Sequence, residues 1–142
     1  MISEKPEISA KAGLEMAQAA IAFAQENKWD ITVAICDRAG QLIAFLRSEN
    51  VILGAIDFAI DKAFTAATLR KSTADFGTRM ASAPGLSLGV GTRPRLMTWT
   101  GGLPIFYNGV CVGGIGVSGA LDHQDLSCAQ AAIDFVGLRS DA

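Results

Sequence analysis

The stretch from Gly109 to Gly119 contains the spacing Gly114-x-Gly116-x-x-Gly119, which matches the glycine pattern of dinucleotide-binding folds. That pattern binds a pyrophosphate within a βαβ unit of ~30 residues, with an acidic residue about 20 positions further on. After Gly119, 23 residues follow, enough for one helix but not for a second parallel strand. We therefore interpret this stretch as a buried strand and a glycine-rich turn whose backbone can lie close to another group.

Lys62 is the charged residue whose surroundings most favour a chemical role. It lies at the margin of an alanine-rich helical face, so we expect its ammonium to be partly desolvated and to need an anionic partner. That partner could be a ligand, which Thr65 would share from one turn away. Alternatively, Lys62 could extend its charged end into solvent and Thr65 could bond to a helix carbonyl. The sequence leaves both alternatives open.

Small residues near the C-terminal strands form a second group of candidates, namely Gly101, Gly102, Gly113, Gly114, Gly116 and Ser118. Their backbone amides could bind a carboxylate, or the glycines could relieve crowding where two strands and the last helix meet, which is the interpretation we favour. The segment Gly116-Val-Ser118-Gly119 brings its second glycine one residue too early for a hydrolase nucleophile elbow. His123 is too near in sequence to complete a triad easily, so we set triad hydrolysis aside.

Metal and thiol chemistry are not indicated. The carboxylates and His123 show no metal-ligand spacing, so no metal site is predicted. Cys36, Cys111 and Cys128 are widely separated among apolar residues, which predicts reduced core cysteines rather than a disulfide, a zinc site or a nucleophile. We expect His123 to face solvent on the first turn of the last helix, and we assign no catalytic residue.

Composition narrows the class of protein. The net charge of −2 and the absence of basic runs with aromatic residues make nucleic acid and membranes poor partners. No leader and no apolar run of 18 residues is visible, so we expect a cytoplasmic protein with one domain over residues 1–142. Charged residues make up 18% and mean hydropathy is +0.32, values that favour a homo-oligomer in which another copy covers apolar surface.

Hydrophobic periodicity predicts the elements that position these residues. Helices are predicted over Ser9–Lys28 and Val51–Lys71, from Ser72 to Met80, and after a cap at Asp122 with Asp125 three positions on. Strands are predicted over Asp30–Cys36, Gln41–Leu46, Met97–Thr100, Ile105–Tyr107 and from Val110 onward, with turns at Asp37–Gly40 and Asn108-Gly109. Residues 82–96 are predicted to form a long irregular loop.

In this order, the elements resemble the GlcG/HbpS family of haem-binding-related proteins, a domain also appended to some PduO-type corrinoid adenosyltransferases. The resemblance rests on Asp37-x-x-Gly40, Lys62-Ala63-x-Thr65-Ala66, Gly101-Gly102-x-Pro104-Ile105, Gly113-Gly114-Ile-Gly116-Val-Ser118-Gly119 and Asp125-x-x-Cys128-Ala129. It implies a profilin-like α+β fold, with a five-stranded antiparallel sheet between helices in three α/β/α layers. It also implies assembly into homo-oligomers.

The resemblance implies haem or another tetrapyrrole as a candidate ligand. Haem-binding members are expected to offer a histidine near the first helix, whereas this first helix has none. The remaining candidates for an iron ligand are His123, Met16, Tyr107 and Cys111.

Two functions follow as hypotheses. In the first, the protein binds a carboxylated small molecule through Lys62, Thr65, Gly101, Gly102, Gly114, Gly116 and Ser118. In the alternative, it is a small isomerase or lyase acting on a short organic acid. Lys62 would then serve as base or anchor, and Ser118 or Tyr107 would donate a hydrogen bond to an oxyanion. We favour binding because no paired acid and base is visible.

Overall fold

The computed structural model describes residues 1–142 as five helices and four strands. In chain order the elements are α1 (Ala10–Glu26), β1 (Thr32–Asp37), β2 (Leu42–Arg47), α2 (Ala55–Leu69), α3 (Thr73–Met80), α4 (Pro84–Val90), β3 (Gly102–Tyr107), β4 (Val110–Ser118) and α5 (Asp122–Phe135). No helix combines the length and the hydrophobicity that a membrane-spanning segment needs.

The four strands form one antiparallel sheet in the order β2-β1-β4-β3. Both predicted hairpins around Asp37–Gly40 and Asn108-Gly109 are confirmed, and the second turn has positive φ at Asn108 and Gly109, as a tight hairpin turn requires. The two hairpins meet along β1 and β4, where Ala34 is opposite Gly116. The central strands of the sheet are therefore β1 and β4.

The prediction of five strands is wrong, because Met97–Thr100 does not form a strand. Thr65 Oγ1 in α2 donates to Arg95 O at 3.1 Å and accepts from Met97 N at 2.9 Å. These backbone groups are therefore bound to a helix side chain instead of a neighbouring strand. The predicted loop over residues 82–96 is also partly wrong, because α4 begins at Pro84, where proline's fixed φ suits the first helical position.

Helices cover both faces of the sheet. On one face, α1 and α5 pack against each other and against the strands around a core of fully buried aliphatic side chains that includes Ile35, Ile115 and Ile133. On the other face, α2 packs on β1, β3 and β4, and its buried alanines meet Ala34 and Cys36. The result is the helix–sheet–helix layering that was predicted.

Two glycines of β4 allow α2 to lie unusually close to the sheet. A Cβ atom on Gly114 would lie 2.5 Å from the Ala63 carbonyl oxygen, and a Cβ atom on Gly116 would lie 2.5 Å from the Ala63 nitrogen. Any side chain at these positions would push the helix away, since interiors are packed with almost no free volume. The alanine face of α2 and the glycines of β4 together bring Lys62 against the end of β4.

Candidate functional site

Lys62 lies inside the protein, with a side chain that is only 2% exposed. Its Nζ donates to Val117 O at 2.8 Å and lies 3.3 Å from Asp125 Oδ2. The partner that the sequence predicts for this ammonium is thus present within the same chain. The ion pair joins α2 on one face of the sheet to α5 on the other.

Asp125 is the acidic partner in this ion pair. Its Oδ1 accepts from Ala120 N at 3.0 Å, and its side chain is 3% exposed. Burial raises the pKa of Asp125 to about 6, although the Lys62 charge opposes this shift. Burial likewise lowers the pKa of Lys62, against the attraction of Asp125. Desolvation is therefore the larger influence on both groups.

The role predicted for Asp125 was helix capping, and the structure corrects it. Leu121 is the N-cap residue of α5, its backbone nitrogen donates to Gln124 Oε1 at 3.0 Å, and Asp122 is the first helical residue. Asp125 points instead into the core, on the same face as Cys128 and Ala129. Asp125 precedes Cys128 and Ala129 by three and four positions, which places all three on one face of a helix. This spacing is the sequence signal that could have revealed a buried partner for Lys62.

Gly101 and Gly102 lie against this pair. Gly101 has φ +127°, a conformation that favours glycine, and a Cβ there would lie 2.9 Å from Lys62 Nζ. A Cβ on Gly102 would lie 2.7 Å from Lys62 O, and Gly102 N donates to Thr73 Oγ1 at 2.9 Å. The two glycines thus let the start of β3 close over the buried ion pair.

The remaining predicted site residues make separate contacts. Thr65 holds the segment before β3, as described above, and Gly114 packs on α2. Gly116 lies beside Lys62, since its Cβ would be 2.8 Å from Lys62 Cβ. Ser118 is 5% exposed at the end of β4, opposite Thr32, whose hydroxyl donates to Ser118 O at 3.3 Å. The structure therefore brings together Lys62, Gly101, Gly102 and Gly116. The Thr65 hydroxyl instead binds the backbone of Arg95 and Met97, and Ser118 follows Val117, whose carbonyl oxygen binds Lys62.

A cleft of about 640 Å³ lies at the carboxyl end of α2. Three cationic residues, Lys5, Arg38 and Arg70, line it together with Glu4. Its apolar lining includes Ala67, Phe106 and Val110, and Cys111 also belongs to the wall. We call this cavity the cationic cleft.

Local backbone structure explains where two of these cations lie. Arg70 ends α2 in the left-handed conformation, with φ 57°. Arg38 lies in the β1–β2 turn, which Asp37 fixes by accepting from Ala39 N and Gln41 N through Oδ1, each at 2.9 Å. The motif Asp37-x-x-Gly40 thus holds a turn that carries a cation to the cleft. The cleft is not evident from the sequence, because its wall comes from four distant segments.

Cys111 brings a thiol, a possible ligand for iron, to the wall of the cationic cleft. It is 8% exposed, and its Sγ lies 3.4 Å from Gly113 O and 3.7 Å from Ala67 O. Burial raises the pKa of Cys111, which favours the neutral thiol. Burial also raises the pKa of Cys36 and of Cys128 to about 12, and all three thiols are free.

The other candidate iron ligands lie elsewhere. Met16 is fully buried in the core, and His123 is exposed on the first turn of α5. Tyr107 is half-exposed beside a smaller cavity of about 290 Å³, which Pro6, Ser9 and Leu138 also line. No group of three or more His, Cys, Asp or Glu side chains could hold a metal ion.

Comparisons with known proteins agree with this architecture. An uncharacterised 15.0 kDa protein from the dhaT-dhaS intergenic region of Citrobacter freundii is 32% identical over 130 residues, covering 89% of this chain and 90% of that protein. Protein GlcG of Escherichia coli K12 is 34% identical over 108 residues, covering 73% of this chain and 78% of GlcG. The crystal structure of a PduOC:heme complex superposes with a TM-score of 0.88 at 25% identity, covering 96% and 99% of the two chains.

The family model described as "Haem degrading protein HbpS-like" matches residues 8–134, which is most of the chain. That match includes all of the residues that form the buried ion pair and the glycine-rich strands. Together with the relationship to GlcG, it shows that this chain belongs to the GlcG/HbpS-like family.

Proposed function

We propose that this protein binds a flat, carboxylated tetrapyrrole of the haem class in the cationic cleft. The description of the matching family names haem, and the PduOC relative was crystallised as a haem complex. These relationships suggest the chemical class of the ligand, and the shape and charge of the cleft suggest the place.

The observation that carries the proposal is the combination of cations and apolar surface in one cavity of suitable size. The volume of about 640 Å³ lies within the range of roughly 300–1,000 Å³ that is usual for small-molecule sites. Arg38 and Arg70 can each bind a carboxylate through two parallel N–H donors. Phe106 and Val110 offer apolar contacts for the ring.

The residues present fit the propionates and the ring of haem better than they fit its iron. When bound, haem supplies an iron centre whose reactivity depends on its axial ligand. The cationic cleft contains no histidine, and Cys111 is a neutral, hydrogen-bonded thiol. We therefore propose that affinity comes from Arg38, Arg70 and the apolar wall, with weak axial ligation at best.

The ligand-binding role predicted for Lys62 and the neighbouring glycines stays a prediction. The Lys62 ammonium already donates to Val117 O and pairs with Asp125 inside the protein. The same enclosure argues against the isomerase or lyase alternative, in which a substrate would have to reach this amine. Binding in the cationic cleft is the function that the geometry supports best.

Titration with haemin and with metal-free protoporphyrin IX, followed by absorbance, tests the proposal. We expect saturable binding of both, because the carboxylates supply most of the recognition. Arg38→Gln and Arg70→Gln should each weaken binding about 5- to 10-fold, since each removes a charge-assisted contact at an exposed site. Arg79→Gln, on the exposed side of α3, is the matched control and should leave affinity unchanged. Equal affinity in all four proteins would refute the assignment to this cleft.

We also propose that the protein self-associates. Four large side chains are more than half exposed on segments that precede α2, α5 and β3, namely Ile52, Leu53, Trp99 and Leu121. We call this group the apolar patch. Gly119 contacts Val51, which brings the segments before α2 and α5 together. The ring of Trp99 packs edge-on against that of Phe58, with 5.0 Å between the ring centroids. A second copy is the partner we propose for this surface.

A further inference from the structure

The segment Glu4–Glu7 runs between the two cavities described above. Glu4, Lys5 and Pro6 line the cationic cleft, and Pro6 and Glu7 line the smaller cavity. Pro6 therefore contributes to both walls. We call Glu4–Glu7 the strap, because it separates two spaces of about 640 Å³ and 290 Å³ at the same end of the sheet.

The strap has two attachments, one just after its last residue and one through the side chain of Glu7. The next residue, Ile8, is buried, and its nitrogen donates to Val112 O at 3.1 Å. Within the strap itself, no backbone or side-chain hydrogen bond is formed, and all four residues are exposed. Its remaining attachment is the ion pair between Glu7 Oε1 and Arg38 Nε at 3.7 Å, whose side chains are 47% and 38% exposed. Exposed pairs of this kind contribute little to stability, so the strap can be displaced at low cost.

The weak ion pair of Glu7 matters for ligand binding because its partner is Arg38. Arg38 is one of the cations to which we assign a ligand carboxylate. Glu7 presents the same chemical group to the same guanidinium, so it competes with the ligand for Arg38. A carboxylate that arrives from solvent would release Glu7 and, with it, the attachment of the strap.

We propose that the strap is an autoinhibitory gate over the tetrapyrrole site, with Glu7 occupying Arg38 until a ligand carboxylate replaces it. This inference rests on the proposed function. Displacement of Pro6 joins the two cavities and gives a planar ligand access to both, from Phe106 on one side to Tyr107 on the other. Ile8 remains as the hinge.

Glu7→Gln tests the gate, because it keeps the size of the side chain and removes the competing charge. Protoporphyrin IX should bind this variant 2- to 5-fold more tightly than it binds the wild type. Glu15→Gln is the matched control, since Glu15 is a partly exposed carboxylate that pairs with Lys11 on α1, and the variant loses the same charge. That control should bind as the wild type does, which separates the gate from a general change in net charge.

A second measurement follows the strap directly. A glutamate-specific protease cleaves after Glu4 and Glu7, and saturating protoporphyrin IX should accelerate this cleavage in the wild type at least 3-fold as the strap leaves the protein. Unchanged or slower cleavage, or equal porphyrin affinity of Glu7→Gln and the wild type, overturns the gate while the proposed function stands. If neither the wild type nor Glu7→Gln binds porphyrin, both proposals fail.

Discussion

In the ion pair between Lys62 and Asp125, burial disfavours the charged form of each residue, whereas the attraction between the two charges favours it. Each charge loses its hydration, and their mutual attraction returns only part of that cost, so buried pairs are often no more stable than apolar residues of similar size. Removing one partner is a different matter, because the other group then stays in the core without compensation, whether it keeps its charge or is neutralised at a cost. The two kinds of substitution should therefore have opposite outcomes.

We expect Lys62→Met to lower the free energy of unfolding by about 3–5 kcal/mol, since it leaves Asp125 buried and unpaired. The double variant Lys62→Met with Asp125→Leu should be close to the wild type or more stable. Urea denaturation measures both, with Lys11→Met, at an exposed side chain of α1, as a control that should change little. A double variant no more stable than the single one would contradict this account of the pair.

The pKa of Asp125, raised to about 6, predicts a dependence of stability on pH. The native state binds the proton more tightly than the unfolded chain, in which the pKa is about 4. Protonation of Asp125 therefore contributes stability below pH about 4, and this contribution is lost as the pH rises through about 6. It amounts to about 3 kcal/mol at most.

Comparing unfolding of the wild type and Asp125→Asn between pH 4 and pH 7.5 isolates this group, because other titrations cancel in the difference. The stability of the wild type relative to the variant should decrease across that window. A relative stability that is constant, or that increases with pH, would show that the pair and not burial controls the protonation of Asp125.

The exposed position of His123 predicts the spectrum of a haem complex. His123 lies on the first turn of α5 and does not line the cationic cleft. We expect weak haem binding with a broad Soret band, and His123→Ala should change the band little. A sharp spectrum of histidine-ligated iron that disappears in this variant would place haem at α5 and refute the cleft as its site.

At the scale of elements, the packing of α2 on β4 depends on the glycines that face it. Gly116→Ala places a Cβ against the backbone of Ala59 and Ala63, and overpacking of this kind costs about 1–3 kcal/mol. Gly89→Ala in α4 is the matched control, because no atom lies within 4 Å of its Cβ, and it should be neutral or slightly stabilising. Thermal unfolding of the two variants measures the difference, and equal midpoints would contradict close helix–sheet packing.

Elements that depend on local patterns were predictable from the sequence. The helix that Ser9 caps and the hairpin at Asn108-Gly109 both follow from residues that are neighbours in the chain. The strand predicted over Met97–Thr100 failed because a hydroxyl about 30 residues away, on Thr65, binds that backbone. Local β propensity cannot predict that a distant side chain will bind the backbone groups of a segment in place of a neighbouring strand.

The candidate site was predictable only in part, for the same reason. The need of Lys62 for an anionic partner follows from its alanine-rich surroundings, but the identity of that partner depends on a contact across 63 positions of sequence. The cationic cleft was not predictable at all, because Lys5, Arg38 and Arg70 approach one another only when the N-terminal segment, the β1–β2 turn and the end of α2 come together. Each cation alone is an ordinary surface residue.

At the scale of the whole molecule, the surface is larger than that of a compact monomer. The accessible area is 7735 Å², whereas a monomeric protein of 14.8 kDa exposes roughly 7,000 Å². Part of the difference comes from the N-terminal residues, since Met1 and Ile2 are fully exposed. A standard interface buries roughly 800 Å² on each partner. The apolar patch supplies side chains suited to the centre of such an interface, and this supports self-association through it.

Light scattering at micromolar concentration should therefore give a mass of at least twice 14.8 kDa. Leu53→Glu with Leu121→Glu should reduce the mass toward that of one chain, because two charges cannot be buried in an apolar contact without partners. Phe135→Glu is the control, since Phe135 is equally exposed at 68% but lies at the far end of α5 from Leu121. It should leave the assembly intact. A wild-type mass of 14.8 kDa would refute self-association, and dissociation by Phe135→Glu alone would move the interface away from the apolar patch.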